Sequence, residues 1–136
     1  MLKIKSREVL LSNLEKVKEF HKAFNHSVNT FVTDKELKLR ATLITEEFHE
    51  VIQELTPEGG PENLDRKSLS KELCDLLYVV YGTAVSFGIE LDQVFDEVHS
   101  SNMSKLGDDG KPILREDGKI LKSKNYKEPN LDKIFS

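Results

Sequence analysis

Apolar residues recur at spacings of three and four along most of the chain, and that period predicts four amphipathic helices. The first runs from about Ser6 to His26, with Val9, Leu10, Leu14, Val17, Phe20 and Phe24 on its apolar face. A polar stretch, Asn25 to Thr30, interrupts the pattern. Thr33-Asp-Lys-Glu36 has the form of a capping box, in which hydroxyl and carboxylate each satisfy an orphan amide at a helix start. The helix it opens carries Leu37, Ala41, Ile44, Phe48, Val51, Ile52 and Leu55 on one face and stops before Pro57. Pro57-Glu-Gly-Gly-Pro61 predicts a loop. Asp65 is placed to cap a third helix with the stripe Leu69, Leu73, Leu76, Leu77, Val80, Ala84 and Phe87, and Gly88 to end it in a left-handed conformation. A fourth helix, about Leu91 to Met103, shows Leu91, Val94, Phe95 and Val98.

Beyond Met103 the period changes. Asp117-Gly118 lies between Ile113-Leu114 and Ile120-Leu121, a hairpin signal. The fold class expected is therefore all-α: a four-helix bundle over residues 1–104, whose apolar stripes form the core. A short β-hairpin or looped tail over 105–136 is expected to pack on the same domain.

Length and composition narrow the setting. A chain of 136 residues fits one domain large enough to bury a core without staples. Its net charge of −4 argues against a general nucleic-acid binder, which needs an excess of Lys and Arg. No run approaches the roughly 18 apolar residues of a membrane span, and no apolar run follows the charged N-terminus as in a signal peptide. The single cysteine, Cys74, rules out an internal disulfide and suits a reducing, cytoplasmic setting. Its place on the apolar third helix predicts a buried, inert thiol. The charge is unevenly spread: residues 46–97 hold 13 acids against 3 bases, and residues 105–127 hold 7 bases against 4 acids.

The acidic block contains two carboxylate pairs at helical spacing. Glu47 and Glu50 sit one turn apart on the flank of the second helix's stripe, and Glu72 and Asp75 do the same on the third. If the helices pack by their apolar faces, the flanks can converge. Four converging anions repel and raise one another's pKa unless a cation neutralises them. An oxygen-only donor set favours Mg²⁺, with Mn²⁺ as a substitute, over zinc, and Mg²⁺ is commonly shared with substrate phosphates. The competing reading is an ordinary solvated acidic face.

Glu47-x-x-Glu50, 21 residues, then Glu72-x-x-Asp75 resembles the signature of the all-α nucleoside triphosphate pyrophosphohydrolases, the superfamily of MazG, the dimeric dUTPases and phosphoribosyl-ATP pyrophosphohydrolase. The doublet Glu46-Glu47, the segment Glu72-Leu-Cys-Asp-Leu-Leu-Tyr78 and Asn102-Met-Ser-Lys105 extend the likeness over about residues 35–127. Cys74 stands where many MazG sequences have Gly. The resemblance implies a standalone MazG-like bundle hydrolysing an NTP or dNTP between the α- and β-phosphates, to a monophosphate and pyrophosphate, in adjusting or cleaning the nucleotide pool. It assigns Glu47, Glu50, Glu72 and Asp75 as Mg²⁺ ligands and puts Glu46, Glu47 and Glu50 in the catalytic set. Glu46 projects away from the other acids on an ideal helix, which leaves it a further ion, an attacking water or a neighbouring subunit. Arg40, Asn102, Lys105, Lys119 and Lys122 are candidate contacts to sugar or phosphate, and Tyr126 to a base. A homodimer or homotetramer is expected, with neither nucleic acid nor membrane as partner.

The same region offers two weaker metal motifs. Glu46-x-x-His49 and Asp96-x-x-His99 approach the spacing of a di-iron bundle, but one has Asp for Glu and His49 projects away from Glu47 and Glu50. The four histidines are expected to be surface or partly buried structural residues. Asp108-Asp-Gly-Lys and Glu116-Asp-Gly-Lys lack the alternating ligands of a calcium loop and read as turns. The non-enzymatic alternative is a helical nucleotide-binding or regulatory module, and an alarmone or phosphoribosyl-ATP remains an alternative substrate.

Overall fold

Three helix starts follow from side chains that satisfy the free amides of a first turn. The computed structural model describes residues 10–135. Helix α1 (Asn13–Ala23) begins at Ser12, whose hydroxyl accepts from the Glu15 amide while the Glu15 carboxylate accepts from the Ser12 amide, a full capping box. This corrects the expected start near Ser6: Leu10 and Leu11 precede the helix and are exposed, and Ser6 to Val9 lie outside the described residues. Helix α2 (Asp34–Leu55) is capped by Thr33, which accepts from the Glu36 amide, but the Glu36 carboxylate is turned to the Ser27 hydroxyl, 3.2 Å away. Helix α3 (Arg66–Phe87) is capped by Asp65, which accepts from the Ser68 amide at 3.0 Å. It ends on Gly88 at φ 68°, where a Cβ would lie 2.1 Å from Asn29 Oδ1. A 3₁₀ turn, Pro61–Asn63, occupies the loop between α2 and α3.

The chain divides into two compact units, one ending at Ile89 and one beginning at Glu90. In the first, α1 and α2 both pack against α3. Leu14, Val17, Val51, Ala84 and Val85 are its buried apolar side chains. The apolar stripe of α2 is not the core expected of it: Leu37, Phe48, Ile52 and Leu55 are about half exposed, as are Leu73 and Leu77 of α3. The cause is a rotation of α2. Its two buried residues are Arg40 and Val51, and at about 100° per residue they share with Glu47 an arc roughly 80° from the stripe's centre. That arc, which takes in only Val51 at the edge of the stripe, is the one buried on α2.

Between α1 and α2 the polar stretch is pinned to the end of α3 by Asn29 N–H to Val85 O and Thr30 N–H to Ser86 O, both 2.9 Å. The His21 ring, only 3 % exposed, donates from Nδ1 to Ser27 O at 2.7 Å.

In the second unit, α4 (Leu91–Met103) is joined by its own tail. Ser101 Oγ donates to Lys127 O at 2.7 Å, Ser123 Oγ donates to Ser104 O at 3.1 Å, and the Asn130 amide donates to Glu97 at 2.8 Å. The antiparallel hairpin forms as the turn signal predicts, β1 (Ile113–Leu114) against β2 (Ile120–Leu121), with Ile113 opposite Leu121 and Gly118 at φ 87° in the turn. A final turn of helix, α5 (Asp132–Phe135), has no counterpart in the periodicity. The all-α class with a short C-terminal hairpin stands. Among the described residues no single helix is long and apolar enough to cross a membrane.

Burial first, then the nearby Arg40 and His26 charges, holds the His21 imidazole below its ordinary range, against the backbone bond to Ser27 and the Glu36 carboxylate. The unfolded chain therefore takes up a proton near pH 6.5 that the folded one refuses, so this contribution to stability is present above that pH and lost as pH falls below it. The urea midpoint is expected to fall between pH 7.5 and 5.5, and His21→Gln to flatten that slope; an unchanged slope in the variant would show that His21 does not carry it.

Candidate metal centre

Two turns of α2 and two of α3 bring four acids to one place. Glu47 and Glu50 on α2, and Glu72 and Asp75 on α3, each offer a carboxylate oxygen, and the four oxygens lie within 4.8 Å of one another. Glu50 is exposed and the other three are half-buried. Such crowding favours the protonated form of at least one member. The pKa of Glu72 is raised, chiefly by a hydrogen bond to the Glu50 carboxylate and then by burial. Lys71 Nζ reaches Asp75 at 2.6 Å and Glu72 at 3.5 Å, and its own pKa is pushed up to about 12 by the Asp75 contact.

The ammonium does not complete the balance. Glu47 Oε2 and Glu72 Oε2 are buried without a hydrogen-bond partner, and buried polar atoms in that state are costly unless something else meets them. Anionic oxygen donors with unsatisfied lone pairs fit a hard divalent cation. With neither Cys nor His in the group, zinc fits poorly.

The remaining candidates lie elsewhere. Glu46 is exposed beside Glu47 on α2 and is not one of the four. Arg40 is buried at 6 % exposure, and its Nη1 donates to Ser86 Oγ at 3.3 Å. Asn102, Lys105, Lys119, Lys122 and Tyr126 all belong to the second unit. There Asn102, Lys119 and Lys122 are exposed and Lys105 and Tyr126 half-buried. Lys122 Nζ sits 4.5 Å from the Tyr126 ring centre, a cation–π contact. His26, His49 and His99 are exposed, and His21 is buried in the interior of the first unit.

Cys74 requires a correction. The residue is exposed, lining a small cleft between α3 and α1 with Asn13, Lys16, Val17, Leu77, Tyr78 and Tyr81. Lys71 was not read from the sequence, although its i, i+4 spacing to Asp75 was available as a signal.

Comparison with known proteins meets this geometry. The phosphoribosyl-ATP pyrophosphohydrolase family matches residues 17–102, a span that includes all four acids. An uncharacterized protein of Acanthamoeba polyphaga mimivirus is 36% identical over 88 residues, covering 60% of this chain and 33% of its own length. The chain thus spans about a third of that relative.

A cation at a hundred times its dissociation constant stabilises a fold by about 2.7 kcal/mol, a shift of several degrees for a domain of this size. Mn²⁺ or Mg²⁺ is expected to raise the melting temperature by that order, and Glu72→Gln to remove most of the shift. Calorimetry showing an equal metal response in parent and variant would exclude Glu72 as a ligand.

Proposed function

From the premise that the chain belongs to the phosphoribosyl-ATP pyrophosphohydrolase family, of the MazG-like all-α kind, we propose that it hydrolyses a nucleoside triphosphate between the α- and β-phosphates, releasing a monophosphate and pyrophosphate, with Mg²⁺ as cofactor. The observation that carries the reading is the quartet of carboxylate oxygens within 4.8 Å, two residues of which hold buried, unpartnered oxygens.

Glu47, Glu50, Glu72 and Asp75 are the residues that would hold the cation. When bound, it would supply charge neutralisation of the triphosphate and acidification of the attacking water. The protein's part in such a transfer is positioning and charge rather than covalent chemistry. Two rigid helices serve that part well, since each presents its acids one turn apart on a fixed backbone. Glu46, exposed next to Glu47, is free to meet water or a neighbouring molecule, the role we assign to it. Lysines of the hairpin, Lys119 and Lys122, with Lys105, Asn102 and Tyr126, are the proposed substrate contacts of the second unit. The family's description supports a second substrate, phosphoribosyl-ATP, which has the same scissile bond.

We also infer a homo-oligomer. The half-exposed stripe Leu37, Phe48, Ile52 and Leu55 supports a second copy as its cover, since an exposed apolar face of this kind marks an association surface.

Purified protein with Mg²⁺ and a panel of NTPs, dNTPs and phosphoribosyl-ATP is expected to release pyrophosphate and not orthophosphate. Glu50→Gln and Asp75→Asn should lower kcat by about a thousandfold, as loss of a principal charge-stabilising group does, while circular dichroism stays unchanged. Full turnover in either variant would falsify the assignment; pyrophosphate release from none of the panel would favour the binding-module alternative.

Light scattering is expected to give at least twice the monomer mass of 15.5 kDa. Phe48→Glu should shift the protein toward monomer, and a parent that is already monomeric sinks the oligomer reading.

A further inference from the structure

The first unit contains a polar chain, buried at Arg40 and Ser86 and half-buried at Ser27 and Glu36, whose members no step of the chemistry above uses. Arg40 Nη1 donates to Ser86 Oγ at 3.3 Å, and the Ser86 and Ser27 hydroxyls are 2.7 Å apart. Ser27 Oγ donates to Glu36 Oε2 at 3.2 Å. Since Ser27 gives its proton to Glu36, Ser86 must give its own to Ser27, which leaves the Ser86 lone pair to the guanidinium. The donors therefore run in one direction, from Arg40 on α2, through Ser86 on α3 and Ser27 in the connection after α1, back to Glu36 on α2. Three segments are tied by one chain with a positive and a negative end. Ser86 is fully buried and Arg40 nearly so. Its Nε has no partner, and burial depresses the guanidinium's pKa.

Gly82 makes the close approach possible. A Cβ there would stand 3.0 Å from His21 Nε2 and 3.2 Å from Arg40 Nη2, tighter than ordinary packing. So α3 offers a notch at Gly82 and a hydroxyl one turn later at Ser86, and the Arg40 fork fills both.

Burial on α3 is concentrated at the end that meets Arg40. On α3 the buried residues are Gly82, Ala84, Val85 and Ser86, all in its last two turns, and on α2 they are Arg40 and Val51. Around Glu72 and Asp75, α3 has none. Arg40 lies seven residues before Glu47, and Gly82 lies seven after Asp75, a rise of about 10 Å along either helix. In an antiparallel pair, equal and opposite displacements keep two residues abreast, so fixing Arg40 against Gly82 also fixes Glu47 against Asp75.

We propose that Arg40 is a positioning residue: locked to Gly82 and Ser86, it sets the sliding register of α2 on α3 and thereby the convergence of the four carboxylates. A buried ionic group is a poor source of stability compared with apolar packing but is well suited to specifying one register among several. The proposal rests on the metal-centre reading above, and it reassigns Arg40 from a substrate contact to a residue that acts through the acids.

Arg40→Met, Arg40→Lys and Ser86→Ala test it, each measured for Mn²⁺ affinity by electron paramagnetic resonance, for kcat and KM, and for amide exchange well below its own melting temperature. Arg40→Met is expected to lose about tenfold or more in Mn²⁺ affinity, the scale seen when groups that orient ligands are removed, with kcat lowered more than KM is raised. Amides of α2 and α3 near the acids should exchange faster while those of α1 keep their protection. Arg40→Lys should recover part of the affinity. Ser86→Ala, which leaves the guanidinium in place, carries the test if Arg40→Met fails to fold. Unchanged Mn²⁺ affinity with a raised KM would return Arg40 to the substrate, and a lowered melting temperature alone would make it structural; either overturns the proposal. If the parent itself binds no Mn²⁺, the metal-centre reading fails, and the exchange pattern still decides whether Arg40 sets the register.

Discussion

The sliding register of α2 against α3 is the constraint on which the rest of the first unit depends. The acids, the buried Arg40 and the Gly82 notch are all placed by it. A slip of one turn along either helix, about 5.4 Å, exceeds the 4.8 Å that encloses the four carboxylate oxygens, so the quartet would not survive it. Four like charges gain nothing from meeting and are pushed toward protonation when they do. Their convergence has to be imposed from outside the cluster, by helix caps that fix where α2 and α3 begin and by packing that fixes how they lie together.

How much of this was legible depended on whether the signal was local. Asp65, Gly88 and Asp117-Gly118 act within a turn of their own position, and each is found where the sequence suggests. The acid pairs were visible for the same reason: three-residue spacing places two carboxylates on one flank whatever the helix packs against. The rotation of α2 was not local. Of its seven-residue apolar stripe only Val51 is buried, and the other buried residue is Arg40 on the flank, whose guanidinium lies against Gly82. Nothing within α2 announces that choice. The exposed thiol of Cys74 escaped for a related reason, since a helix that is apolar on several sides does not reveal which of them is covered. Ser12 and Glu15, in contrast, form a capping box that the sequence contained, and it was masked by the apolar residues before it.

The hairpin lysines pose the opposite problem. Their excess of charge is plain in the sequence, but side-chain chemistry in the second unit is partly spent locally: Lys122 on Tyr126, Lys124 on Asp108 at 2.7 Å, Arg115 on Asp117. Exposed pairs of this kind hold little free energy and exchange readily for a stronger anion. A phosphate with several charges is such an anion, so these contacts do not disqualify the lysines as substrate ligands. They show that charge counts by segment overstate what is freely available.

The uneven packing of α2 and α3 has a physical rationale in the chemistry proposed. A site that must admit a cation and a triphosphate, and then release two anions, gains from an end where side chains are only partly buried and can adjust. It also needs its donors within a few tenths of an ångström of one arrangement when loaded. Those demands conflict in a uniformly packed bundle. Here they fall on different parts of α3: its last turns, which meet Arg40, hold all its buried residues, while the turn bearing Glu72 and Asp75 is only partly covered. Because an α-helix transmits position along its axis with little loss, precision at the dense end reaches the acids without filling the space around them. The half-exposed apolar stripe fits the same division, for a surface left over by the rotation of α2 remains available to a second copy. The rotation that brings Glu47 onto α3 is thus also what exposes Phe48 and Ile52, so the proposed site and the proposed association surface would arise from one packing choice.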